Sequence, residues 1–156
     1  MKATEASIQY ILGKHYGIKR GYITIPNILL IDKGMYEADF IYINKNKYLF
    51  EVEIKISITD FKADFNKKIY HSNSKVRALY YAIPRELYYK HENAILDMTR
   101  SVGAGIIVCN ERSCEVVEKP KIRKVEPLND KELLEYARIG CLKWIRKWGE
   151  TNECRG

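Results

Sequence analysis

With 156 residues, 46% of them apolar, the chain has the material for one domain around one core and needs neither disulfides nor a structural metal to hold it. Lysine and arginine number 27 against 20 aspartates and glutamates, and the formal charge of +7 favours polyanionic partners, nucleic acid first among them, over acidic ones. Cys109, Cys114, Cys141 and Cys154 contain no CxxC pair and stand far in sequence from His15, His71 and His91, so no zinc-finger spacing is present and reduced thiols are expected.

Residues 4–16 carry apolar side chains partly at helical spacing, with Thr4 as a cap and Gly17 as the predicted stop. Residues 23–32 form a β-branched run interrupted by Pro26, suited to a strand or an irregular edge. Two further runs, 38–44 and 48–57, flank the polar stretch Asn44-Lys45-Asn46-Lys47 and predict a hairpin. From Ile58 the spacing of Phe61, Phe65 and Ile69 predicts a helix, with Thr59 or Asp60 able to cap it. Residues 77–84 and 103–110 suit buried strands, and the segment between them is expected to be helical in part. Residues 114–124 suggest a short strand or hairpin split by Pro120, and Asn129 with Glu132 offers a capping box before a C-terminal amphipathic helix that tolerates Gly140. A single mixed α/β domain over 1–156 is expected, with a core at about 4–110 and a basic appendage at about 111–156. The start mixes charges into its apolar positions, and no later run approaches membrane-spanning length, so a cytoplasmic protein off the membrane is expected.

The second strand of the hairpin is the unusual one. Alternate side chains share a face, so Tyr48, Phe50, Val52, Ile54 and Ile56 point one way while Glu51, Glu53, Lys55 and Ser57 point the other. Folding about Lys45 and Asn46 places Asp39 roughly opposite Val52 or Glu53, according to the loop length. Two carboxylates on adjacent strands make a hard-oxygen site for Mg²⁺, and a neighbouring ammonium can orient water or stabilise phosphodiester charge. The same alternation also suits a solvated strand face carrying weak cross-strand ion pairs.

Asp39, thirteen residues, then Glu53-Ile54-Lys55 resembles the D…(D/E)xK signature of the PD-(D/E)XK nuclease superfamily, with Ala38 where proline is usual. EVEIKIS followed by TDFKADFNKK, LYYAIP and GAGIIV is similar to its small DNA-repair and phage-encoded branch, over about residues 5–108. The resemblance implies a restriction-endonuclease-like αβββαβ core with a mixed sheet flanked by helices, plus the basic C-terminal helix. It implies a metal-dependent DNA endonuclease using Mg²⁺ or Mn²⁺, with Asp39 and Glu53 as metal ligands, the Ile54 carbonyl as a further candidate and Lys55 positioning or activating water. Glu5 matches an acidic residue placed near the metal, although a helix-start carboxylate favoured by the dipole is an equal reading. Ser57, Lys67 and Lys68 fit the substrate-facing helix that follows the motif. Glu51 is an alternative ligand to Glu53. Asp60 and Asp64 are read first as capping and as pairing with Lys67 and Lys68, and His71 as structural or solvent-facing.

DNA is the expected partner, with a second copy of the chain as a further candidate. Lys62, Lys67, Lys68, Lys75 and Arg77, then Lys119, Lys121, Arg123, Lys124, Arg138, Lys143, Arg146 and Lys147, supply the cations that a polyanion requires. Trp144 and Trp148, with Cys141 and Ile145, are read as the stripe of a docked helix ahead of any role in base stacking. The reading from a different class is a non-catalytic nucleic-acid-binding module of the same fold.

Overall fold

A computed structural model describes residues 2–30, 37–65 and 75–153. The element order is α1 (Glu5–Leu12), a π-helical continuation (Gly13–Lys19), β1 (Ile23–Leu29), β2 (Glu37–Ile43), β3 (Leu49–Ile54), α2 (Ile58–Asp64), β4 (Val76–Pro84), α3 (Arg85–Lys90), α4 (Glu92–Val102), β5 (Gly105–Cys109), β6 (Cys114–Glu118) and α5 (Asp130–Glu153). The six strands form one mixed sheet in sequential order, flanked by helices, so the chain is α/β as expected. β3, β4 and β5 run parallel, and their neighbours pair antiparallel. Helices separate the parallel strands because a parallel pair needs a crossover, whereas β1 to β3 follow one another as a meander.

Thr4 starts α1 through a reciprocal cap with Ser7. The helix runs beyond the predicted stop at Gly17, widening at Gly13, where a Cβ would stand 3.2 Å from the Trp144 ring. Pro26 is accommodated because β1 is an edge strand among the described residues.

The two faces of the sheet carry different cores. Ile8, Ile11, Leu12 and Tyr16 of the first helical segment cover Phe40, Tyr42, Phe50, Val52, Ile54, Tyr80 and Ala82. On the other face Tyr136 and Leu128 pack over Ile25, Ile41, Ile43 and Leu49, while Phe61, Tyr88 and Ile95 from the other helices cover Tyr81, Ile83, Ile106 and Val108. The seam between these last two clusters is where Glu51 and Glu53 emerge from β3.

The C-terminal third is more than an appendage. β6 completes the sheet, and α5 docks on β1 through Leu133, Tyr136, Ile139, Gly140 and Trp144. Gly140 permits the approach, since a Cβ there would meet Ile25 Cγ1 at 3.0 Å, and Trp144 Nε1 donates to the Thr24 carbonyl at 2.7 Å. The predicted stripe is therefore rotated: Trp148 is 71% and Ile145 64% exposed, and Cys141 is exposed too. A 3.6-residue period keeps positions 133, 136, 140 and 144 in line, and Trp148 drifts off that line as the helix runs past the sheet edge. No helix among the described residues is long and apolar enough to cross a membrane.

Candidate active site

The register of β2 against β3 pairs Phe40 with Val52 and Ile41 with Glu51, so one step further along the ladder Asp39 meets Glu53. Asp39 Oδ2 accepts from the Ile54 amide at 2.8 Å, and its carboxyl is hydrogen-bonded to that of Glu53. Neither acid of β3 lies on a solvated face: Glu51 is 0% and Glu53 6% exposed, because β3 is central and helices cover both its faces. Charged side chains are rarely buried unless partnered, so their enclosure separates this strand from an ordinary amphipathic one.

Burial pushes the Glu53 carboxyl up to about 11, and the nearby Asp39 and Glu51 push it the same way. Asp39 is also raised, by burial first, against the lowering effect of the Ile54 amide. Asp39, Glu51 and Glu53 share one face of two adjacent strands, and burial together with their like charges favours the protonated form of Glu53. A divalent cation relieves the same repulsion, so this donor set of hard oxygens fits Mg²⁺ or Mn²⁺.

Among the described residues no three His, Cys, Asp or Glu side chains form a cage that would hold an ion unaided. Mg²⁺ commonly takes one or two protein carboxylates and fills its remaining positions with water and substrate phosphate, which is the number that Asp39 and Glu53 provide.

Lys55 follows β3, its amide donating to the Ala82 carbonyl at 3.0 Å. Its ammonium stands 3.2 Å from Asp64 Oδ1 and 3.8 Å from Glu53 Oε2. Burial works to lower its pKa, but Asp64, Glu53 and Asp39 together outweigh this and hold it above its ordinary value. The other Asp64 oxygen accepts the Tyr81 hydroxyl at 2.5 Å, and burial followed by Asp64 itself raises that phenol.

Asp64, expected to cap or to pair along its own helix, faces Lys55 and Tyr81. Its expected partners Lys67 and Lys68 lie outside the described residues, as does His71, and the structure turns Asp64 inward to Lys55. The signal was its position three residues after Phe61 and one before Phe65, an acid on the apolar stripe of α2.

Glu5 approaches from α1. Its Oε1 accepts from Asn27 Nδ2 at 3.0 Å and from Gln9 Nε2 at 3.3 Å, and Gln9 Nε2 also reaches the Asp39 carbonyl at 2.8 Å. Asn27 is bent to a φ of 46°, a left-handed conformation that asparagine tolerates better than most residues, and this interrupts β1 beside Asp39. Gln9 Oε1 is buried without a hydrogen-bond partner among the described residues. Neither Gln9 nor Asn27 stood out in the sequence, because amides carry no spacing signature. Ser57 caps α2, its Oγ accepting from the Asp60 amide at 3.2 Å. That accounts for one side of the hydroxyl and leaves its donor proton for another acceptor.

No known family profile matches the sequence, and no curated protein matches it. Among solved structures the chain is similar to the SPO1766 protein of unknown function from Silicibacter pomeroyi, with a TM-score of 0.64 at 12% identity, over 100% of this chain and 97% of that one. At that identity the likeness speaks to the fold alone.

Proposed function

We propose that the chain is a metal-dependent DNA endonuclease that hydrolyses phosphodiester bonds with Mg²⁺ or Mn²⁺. The observation that carries this reading is the contact between Asp39 and Glu53 on neighbouring strands, with the Lys55 ammonium 3.8 Å from Glu53. Membership of the PD-(D/E)XK superfamily is part of the same proposal and rests on the motif and on the αβββαβ order of the first six principal elements.

Asp39 and Glu53 would hold the ion, with Glu51 beside Glu53 as a supporting acid. When bound, such an ion polarises a phosphoryl oxygen and makes water more acidic. The chain's own groups do the rest. Lys55, kept protonated by Asp64 and Glu53, orients water by hydrogen bonding and offsets charge that grows on the phosphate in the transition state. An ammonium so held is a poor base, so the raised pKa favours positioning over proton abstraction. Glu5, fixed by Asn27 and Gln9, keeps a carboxylate close enough for its charge to be felt at Asp39.

DNA as the substrate follows from the excess of cations and from the need to bring a polyanion to a cluster of carboxylates. A duplex presents two backbones of opposite polarity, and a homodimer would set one such site on each. The reading takes the cytoplasm as the setting, where the described cysteines, all free, would stay reduced for most of their lifetime.

The test incubates purified protein with linear, nicked, forked and single-stranded DNA, with Mg²⁺, Mn²⁺ or chelator. Metal-dependent cleavage lost in Asp39→Ala and Lys55→Ala supports the assignment. Undiminished cutting by either variant rejects it, and tight binding indifferent to chelator without any cleavage moves the reading to a non-catalytic DNA-binding module.

A further inference from the structure

Cys109 and Cys114 flank the turn between β5 and β6 and are direct partners in that ladder. Just beyond them the Asn110 amide donates to the Ser113 carbonyl at 2.9 Å. The alternation of an antiparallel pair therefore puts the two cysteines at the non-hydrogen-bonded position, where Cα atoms approach to about 4.5 Å and side chains come closest. That spacing falls inside the range of roughly 4.4 to 6.8 Å that a disulfide spans. Both thiols are free, both are buried, and a hydrogen bond joins them.

The two sulfurs are not equivalent. Cys109 is pushed up by its bond to Cys114 and by burial. Cys114 is lowered, by Cys109 first and then by the charges of Lys19 and Arg20. Each opens onto a different cavity. Cys114 lines one of about 570 Å³ whose wall carries His15, Arg20 and Lys119, and Cys109 lines another of about 620 Å³ bounded by Ile56 and Arg85. A small oxidant thus has a path to a dithiol that is otherwise enclosed.

We propose that Cys109 and Cys114 form a reversible oxidation site whose oxidant is a hydroperoxide. The Cys114 thiolate attacks one peroxide oxygen, the O–O bond breaks, and the departing oxygen takes a proton and leaves as water or alcohol. Cys114 becomes a sulfenic acid. Cys109 then loses its proton and its sulfur displaces hydroxide from the Cys114 sulfur, which forms the S–S bond and releases water. Two thiols together give up two protons and two electrons to one peroxide, and a dithiol reductant reverses the change by exchange. Cys114 is the attacking sulfur because the thiolate is the nucleophile and the charges of Lys19 and Arg20 act on this sulfur.

Trypsin cleavage after Arg112 parts the two cysteines into peptides 101–112 and 113–121. The full chain is treated with a modest excess of hydrogen peroxide, quenched with N-ethylmaleimide and digested without reduction. The expected result is a joined pair of these peptides, lighter by two hydrogens than their sum, that dithiothreitol separates and that forms before exposed Cys141 reacts. In Cys109→Ser, dimedone should trap Cys114 as its sulfenic acid, and in Cys114→Ser, Cys109 should remain open to alkylation. Recovery of both wild-type cysteines as maleimide adducts while Cys141 is oxidised overturns the proposal, as does Cys114 linked mainly to another cysteine. Neither sulfur belongs to the carboxylate site, so this result is independent of whether the chain cuts DNA.

Discussion

The Lys55 ammonium lies closer to Asp64 of α2, at 3.2 Å, than to Glu53 of its own strand, at 3.8 Å. The charge expected to serve the carboxylate site is thus aimed by a residue from the following helix, which Tyr81 steadies from β4. On the proposed function Asp64 is a positioning residue. Asp64→Asn should lower cleavage by about 10- to 100-fold, the range seen when groups that orient a ligand are removed, with DNA affinity nearly unchanged. NMR titration of the Lys55 ammonium should show its pKa falling in the same variant. A variant that cuts normally, or loses affinity and rate together, would contradict the role.

Removing the groups at the centre should cost more. Asp39→Ala and Lys55→Ala should each reduce metal-dependent cleavage by about 10²- to 10³-fold, as for loss of one preorganised transition-state contact, while gel-shift affinity in the absence of turnover persists. Loss of DNA binding by these variants, with their fold intact by circular dichroism, would move the acids and the lysine from catalysis to docking.

The pH dependence of stability has a definite sign. The Glu53 carboxyl sits at about 11 in the folded chain against a usual 4.5, so the folded state holds a proton that the unfolded state releases. The associated stability is complete below the unfolded value and drains as pH climbs toward the folded one. Raised Asp39 acts in the same direction, whereas His15, lowered by burial and by Arg20, acts in the opposite direction only below neutrality. Between about pH 7 and about pH 8.5 the chelated wild type should lose melting temperature relative to Glu53→Gln, and Mg²⁺ or Mn²⁺ should remove the difference. Equal slopes for the two proteins in chelator would show that the acids do not share a proton.

Gln9 ties α1 to the site through the Asp39 carbonyl at 2.8 Å and the Asn27 side chain at 3.0 Å. Gln9→Leu fills similar space but leaves a part-buried carbonyl without this donor, a loss worth about 1 kcal/mol. Denaturant unfolding should register that cost, and cleavage should fall as Glu5 and Asp39 lose their common support. Unchanged stability would mean that water satisfies the carbonyl as well as the amide does.

Much of this was legible from local chemistry. The meander of β1 to β3, the hairpin about Lys45 and Asn46, and the placing of Asp39 near Glu53 follow from strand alternation and turn residues, which act between neighbours in the chain. The caps at Thr4 and Asn129 were equally local, whereas α2 is capped by Ser57, two or three residues before the expected Thr59 or Asp60. Whether Glu51 and Glu53 face water or protein was not legible, because alternation assigns residues to a face but does not say what covers it. Docking of α2 and α5 on that side decided it, and turned a charged strand face into a buried cluster.

The amino-acid order by itself determined the periodicities, the breaks and the acid, acid, lysine spacing, since these depend on backbone geometry repeated every two or 3.6 residues. Only the tertiary structure decided that Asp64 faces Lys55, that Gln9 and Asn27 brace Asp39, and that Cys109 meets Cys114 between two cavities. Those relations join residues on different elements, and their physical cause is packing: which helix covers which strand depends on how the apolar faces fill space together, and no short stretch of sequence contains that information.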